Sequence, residues 1–278
     1  MVKISVFADE VSAGFEEQLE FLSVNKTGYL ELRFVDGINI VDTDRKKWIA
    51  LKRMLDDYHI KVSAVASPVG KSCITDRFED EFIRFRHAIE IAELFETRLI
   101  RVFSYYPPVG HKIEDFREDV LQRFGIKTSY LKGTDFIMVH ENEAGIYGHS
   151  APNCLDLVEA IDSPYLRLAY DPANFVWGES IMNNVEQCFS LLKDYIIHIH
   201  IKDWVLGSKD VGAMPGEGDA QIALLIKALK KIDYNGFLTL EPHLSSGGQY
   251  GGATTASQFE KALASVKTFC NRYGLIEE

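Results

Sequence analysis

The stretch "HIHIKD", residues 198–203, follows Tyr195, Ile196 and Ile197 and completes a strand with Ile197, Ile199 and Ile201 on one face. Its other face carries His198, His200 and Lys202, because side chains two apart on a strand point the same way. A strand this apolar belongs in a buried sheet, so its polar row needs a polar interior to face. A closed barrel supplies one, with the isoleucines turned to surrounding helices and the polar row lining the inside. His198, the deepest, reads as a core histidine hydrogen-bonded to a neighbour.

Outward from this strand, β-branched runs alternate with helical stretches along the chain. The strand candidates are Lys3–Phe7, Tyr29–Phe34, Lys61–Ala66, Leu99–Phe103, Phe136–Glu141, Leu166–Tyr170, Ile196–Ile201 and Phe237–Leu240. Between them, residues 80–96 place Phe82, Phe85, Ala88, Ile89, Ala92 and Phe95 at helical spacing, residues 220–232 repeat the pattern, and 255–273 form a closing helix. "TD" at 75–76 and "GD" at 218–219 are the expected N-caps. Eight strands, each followed by a helix, is the count of a TIM barrel, an α/β fold. A doubly wound open sheet would carry a glycine-rich turn after its first strand, whereas this one ends in "FADEVS". We therefore expect a single (β/α)8 domain over residues 1–278.

The 278 residues are 46% hydrophobic and 26% charged, which suits a globular protein of one large domain. No apolar run reaches membrane-spanning length, and "MVKISVFADE" enters a strand without a signal core, so a cytoplasmic protein with no membrane partner is expected. A net charge of −11 disfavours nucleic acid as partner. Cys73, Cys154, Cys188 and Cys270 lack C-x-x-C spacing and read as free, buried thiols.

Active sites of such barrels lie where strands end. Strand one offers Asp9 and Glu10, strand two Glu31 and Arg33, strand three Ser67, Pro68 and Lys71, and strand four Arg101 and Ser104. The last four offer "HENE" (140–143), "DPAN" (171–174), "HIHIKD" and "EPH" (241–243), hence Glu141, Asp171, His200 and Glu241. Singly, each has a plain structural use as a cap, turn opener or ion pair. Together, three carboxylates and an imidazole at one mouth require compensation, which a divalent cation provides. This donor set suits Mn²⁺, Mg²⁺ or Co²⁺, with Zn²⁺ also possible.

The motifs "ELRFVDGIN" (31–39), "SPVGK" (67–71), "HENE", "DPAN", "HIHIKD", "MPGEGD" (214–219) and "LEPH" (240–243) recur in order over nearly the whole chain. In them the sequence resembles the sugar phosphate isomerase/epimerase family of xylose-isomerase-like TIM barrels. The resemblance implies that Glu141, Asp171, His200 and Glu241 hold one metal ion, with Glu141 and Glu241 as the catalytic proton-transfer pair. It implies an isomerase or epimerase that acts on a sugar or sugar derivative through a cis-enediolate, and it allows a homo-oligomer. The alternatives are a lyase or dehydratase on a keto-sugar or keto-inositol, an endonuclease IV-like phosphodiesterase, and a sugar-binding barrel without catalysis.

Ketose 3-epimerases of this family carry a histidine where this chain has Asn174, and an arginine shortly after the strand-seven histidine, where it offers Lys202 first. Free ketohexose as substrate is thereby placed in doubt. Substrate contacts are expected from Lys202, Asn174, Arg33, Arg101 and His243. Lys202 has an ion pair with Glu241 or Asp171 as its alternative, and Glu31 is expected to pair with Arg33 or Arg101. The loops "HLSSGGQYGG" (243–252) and 206–220 can each fold over the site, the first as a phosphate cradle or as a lid.

Overall fold

The computed structural model describes residues 1–208, 211–246 and 253–275. Eight strands, Lys3–Val6, Tyr29–Leu32, Lys61–Ala66, Leu99–Val102, Ile137–Glu141, Leu166–Tyr170, Ile196–Ile201 and Phe237–Leu240, close into a parallel barrel in which strand one pairs with strands two and eight. Helices α1 (Phe15–Val24), α2 (Arg45–Asp57), α3 (Phe78–Leu94), α4 (Arg117–Tyr130), α5 (Ala151–Ile161), α6 (Pro172–Glu179), α7 (Ser190–Leu192), α8 (Ile222–Lys231) and α9 (Ala256–Tyr273) pack outside. The expected barrel is the observed one.

Strand two stops before Arg33 instead of running to Phe34. The chain there turns into a short hairpin, Phe34–Val35 against Ile38–Asn39, with Asp36 at φ +50° and Gly37 at φ +79°. Two left-handed residues make the tight hairpin turn for which Asp-Gly is a strong signal. Neither expected N-cap serves a helix start. Asp76 accepts from the Cys73 backbone N–H and Asp219 from that of Leu206, leaving Arg77 and Gln221 at the helix starts without side-chain caps. Helix α9 instead has a full capping box between Thr255 and Gln258.

The inward faces of the barrel are polar. Ser5 and Ser63 meet at 2.7 Å across the lower interior. Above them Glu31 accepts from His198 Nε2 at 2.6 Å, and Thr239 lies 3.2 Å from the same nitrogen. The apolar core lies between barrel and helices, where α8 buries Ile222, Leu225, Ile226 and Leu229. Cys154, Cys188 and Cys270 are buried thiols outside any disulfide, whereas Cys73 is only half-buried. Among the described residues no helix is long and apolar enough to cross a membrane.

Outside the barrel a charged group is fully enclosed. Lys127 of α4 is 0% exposed and donates to Glu81 of α3 and to Tyr105 OH, both at 2.8 Å. Tyr105 itself donates to Glu81 at 2.6 Å from a backbone at φ +68°. This trio fastens the strand-four loop to two helices.

His149 clamps Glu179 (2.7 Å) and Glu114 (3.0 Å) with its two ring nitrogens, an arrangement satisfied only by the imidazolium. Burial opposes the charge, but the two carboxylates raise its pKa above the ordinary value. The associated stability is present below the unfolded-state pKa and is lost as pH rises through the higher folded value. Between pH 6 and 9 the urea midpoint of the wild type is expected to fall relative to that of His149→Gln, by an amount equivalent to about 0.5 kcal/mol. Parallel pH profiles of the two proteins would contradict it.

Candidate active site at the barrel mouth

Carboxylates reach the mouth because strand five ends at Glu141 and strands six and eight are followed by Asp171 and Glu241. Strand seven supplies His200, which pairs in register with Thr239, and the Glu241 N–H donates to Ile201 O at 3.1 Å. One donor atom from each of Glu141, Asp171, His200 and Glu241 lies within 4.8 Å of the others, and all four residues are buried. The structure thus brings the whole expected quartet together. Asp171 serves two neighbours: Oδ1 caps α6 by accepting from Ala173 and Asn174, while Oδ2 faces the ammonium of Lys202.

Cations interleave these acids. Arg33 donates Nε to Asp9 at 2.8 Å and Nη1 to Glu241. Arg101 Nη1 lies 3.2 Å from Glu141 Oε2, and Lys202 Nζ lies 3.0 Å from Asp171 Oδ2 and 3.7 Å from Glu241 Oε2. Beneath them the Phe7 ring meets His200 edge-on at 5.2 Å, and the guanidinium of Arg33 covers it at 4.2 Å. Phe7 read only as the end of strand one, since nothing in sequence links it to strands two and seven.

Glu31 is not partnered by an arginine. It lies two residues below Arg33 on the same inward face, level with the histidines, and accepts from His198 through Oε2 and from His200 Nε2 through Oε1 at 3.2 Å. Burial opposes a charge on His200, but Glu141 and Glu31, one at each ring nitrogen, raise its pKa well above the ordinary value. Nδ1 faces Glu141 Oε1 at 3.1 Å and Glu241 Oε2 at 3.9 Å, and the Glu31 contact would keep the proton on Nε2 if Nδ1 held a cation.

Burial acts to raise every carboxylate here, and its neighbours decide the outcome. Against it, His200 and Arg101 bring Glu141 down to about 2. Lys202, His243 and Arg33 likewise hold Glu241 well below the usual range. At Asp171 burial wins over Lys202, and the pKa rises. Two of the quartet's carboxylates are therefore held ionised.

The sites expected for substrate contact gather around one cavity of about 570 Å³, lined by Arg33, Arg101, Asn174, Lys202 and His243 together with Glu141 and Glu241. Asp171 and His200 lie behind these residues with 0% exposure. Lys202 makes the ion pair with Asp171 that was its alternative, and it also lines the cavity. Asn174 Nδ2 donates to Asn142 O, which steadies it at the cavity wall. His243, at φ +50°, has Nε2 3.3 Å from both Glu10 and Glu241.

The described part of loop 206–220 is fastened down. Asp203 accepts from the backbone N–H groups of Gly216, Gly218 and Ala220 at 2.8–3.0 Å. A Cβ on Gly218 would sit 2.4 Å from Asp203 Oδ1, so "MPGEGD" reads as an anchor. The expected phosphate cradle or lid, with its glycines in 247–252, lies largely outside the described residues.

The profile of the family described as xylose isomerase-like TIM barrel matches residues 24–268. No curated protein matches the chain. In structure it is similar to a D-tagatose 3-epimerase-like protein, at 17% identity and TM-score 0.78 over 98% of both chains. It is also similar to the 3-keto-D-glucoside 4-epimerase YcjR from E. coli, at 13% identity and TM-score 0.71 over 96% of this chain and 100% of the other. A third likeness is to the probable 3-DHS dehydratase AsbF from Bacillus anthracis, at 16% identity and TM-score 0.74 over 98% and 100%. At these identities the likeness is one of fold.

Proposed function

The chain belongs to the xylose isomerase-like TIM barrel family, and from that premise we propose that it is a divalent-metal-dependent isomerase or epimerase that moves a proton beside the carbonyl of a sugar or sugar derivative. The observation that carries this reading is a set of buried, converging carboxylate oxygens. Glu141 Oε2, Asp171 Oδ2 and Glu241 Oε2 are buried and make no hydrogen bond, despite the cations beside them. Among the described residues, six carboxylates (Asp9, Glu10, Glu31 and the three of the quartet) share the mouth with three permanent cations, Arg33, Arg101 and Lys202. Such a deficit of positive charge suits a dication.

Glu141, Asp171, His200 and Glu241 would hold that ion, and as a Lewis acid it would stabilise the charge that develops on the substrate oxygens. Glu31 then acts as a positioning residue by fixing the His200 ring. Glu31→Gln is expected to weaken Mn²⁺ binding about 10–100-fold, read as the Mn²⁺ concentration needed to raise the melting temperature. An unchanged midpoint would remove this role from Glu31.

Proton transfer falls to Glu241 and Glu141. One carboxylate takes the proton α to the carbonyl, and the other, first protonated from solvent, gives that proton to the opposite face, which inverts the carbon; exchange of both groups with solvent then resets the pair. Lys202 and Arg101 present N–H donors to the oxygens of the bound sugar. Return of the proton to the adjacent carbon gives isomerisation, and loss of a β-hydroxyl gives the lyase outcome.

The test is a screen of ketoses, keto-inositols and 3-keto-glycosides in D₂O with Mn²⁺ present. Carbon-bound deuterium in an otherwise intact or epimerised sugar is the expected result. A product lighter by one water would establish the lyase instead, and the absence of exchange from every member would refute proton transfer.

A further inference from the structure

We infer that the substrate is a neutral glycoside, whose reacting sugar lies over the quartet and whose second ring rests on Trp177 and Trp204. This inference deepens the proposed function and rests on its placement of the reacting sugar.

Charge comes first. Each described cation that lines the 570 Å³ cavity already has a carboxylate partner. Arg33 is held by Asp9 and Glu241, Arg101 by Glu141 and Lys202 by Asp171. Nearer the rim, Lys71 pairs with Glu143 at 2.8 Å and Arg84 with Asp42 at 2.9 Å. A phosphate dianion is recognised by charge-assisted bonds from cations free to give them. The N–H groups these cations have left can bond sugar hydroxyls, but among the described residues lining this cavity the charge of each is already matched by a carboxylate, so a neutral ligand is favoured over a phosphate dianion.

Size comes second. A hexose displaces roughly six waters of about 30 Å³ each. The cavity of about 570 Å³ is far larger than that, so a reacting ring leaves room for another of similar size.

The third observation says where that second ring goes. Trp177 stands on α6, three residues beyond Asn174, and lines the cavity while 51% exposed. Trp204 follows directly on Lys202 and Asp203, is 8% exposed, and donates Nε1 to Ser208 O at 3.1 Å. The two indoles meet edge-on with centroids 6.5 Å apart. The exposed ring is thus backed by a buried, hydrogen-bonded one. Its support is tight, because a Cβ on the adjacent Gly178 would lie 2.9 Å from the Ala144 Cβ. A large aromatic face held half-open beside a polar catalytic floor suits a ring with one apolar side, such as the C–H face of a sugar or an aryl group.

The assignment is tested by calorimetry on the full chain with Mn²⁺, using the methyl and 4-nitrophenyl β-glycosides of glucose and galactose alongside glucose and glucose 6-phosphate. In at least one sugar series the nitrophenyl glycoside is expected to bind about tenfold more tightly than the methyl glycoside, with the phosphate no tighter than glucose. Trp177→Ala is expected to bring the nitrophenyl-to-methyl ratio close to one, and Trp177→Phe to keep part of it. Equal binding of the two glycosides by the wild type, no binding of either, tightest binding of the phosphate, or a ratio that survives Trp177→Ala would overturn the assignment. The deuterium screen fails separately. An aryl preference without exchange would sink proton transfer and leave the glycoside site, whereas exchange into free ketoses without an aryl preference would do the reverse.

Discussion

Replacing Glu241 by Gln is expected to lower the rate of solvent deuterium incorporation by about 10²–10⁴, the range by which a positioned acid or base contributes. Gln keeps the size and one carbonyl oxygen for Arg33, which now holds Glu241 Oε1. What it loses is the charge that Lys202, His243 and Arg33 stabilise and that makes Glu241 a base at neutral pH. The fold is expected to survive, because the same change relieves repulsion from Glu10, Glu141 and Asp171 in a crowded acidic mouth. Far-ultraviolet circular dichroism and the Mn²⁺-induced melting shift, reduced but not abolished, separate loss of the base from loss of the site. Wild-type exchange in the folded variant would remove Glu241 from the reaction.

The largest effect on stability is expected away from the mouth. Lys127→Ala leaves Glu81 buried with only Arg123, 3.6 Å away, and Tyr105 OH to meet its charge. Truncating one partner of a buried pair costs about 3–5 kcal/mol, read as a drop in the urea midpoint. Burial already pulls the Lys127 ammonium down from its ordinary pKa in spite of Glu81, so the intact pair is itself costly to bury. Lys127→Met together with Glu81→Gln is therefore expected to recover most of the loss, since the buried carboxylate is gone, Arg123 keeps the Ile74 and Asp76 carbonyls as acceptors, and the amide still accepts from Tyr105. If both proteins lose the same stability, packing rather than charge governs the trio.

The barrel was legible because its signal is repeated. Period-two strands and period-3.6 helices alternate eight times, and every barrel strand lies within two residues of its expected end. Boundaries slipped where a local device competed with the pattern, as at Asp36-Gly37, whose hairpin cuts strand two short. Capping by Asp76 and Asp219 was misread for a related reason. Each carboxylate has a nearer backbone N–H in a loop, and sequence alone does not rank such partners. The quartet was readable because its members end consecutive strands. The pairings that tune it were less so, since Glu31 meets His198 and His200 across the barrel, at sequence separations of 167 and 169. The two tryptophans lay outside the strand-end motifs, and only the packing of α6 on the strand-seven loop brings them together.

Deuterium incorporation into a responsive sugar, followed in parallel on chelator-treated protein and on the same protein reconstituted with one equivalent of Mn²⁺, tests the role of the buried quartet most directly. Exchange that is absent after chelation and restored by the metal in the wild type, but not in Asp171→Asn, is the expected result. Exchange that proceeds undiminished without metal, or at the wild-type rate in Asp171→Asn, would contradict it.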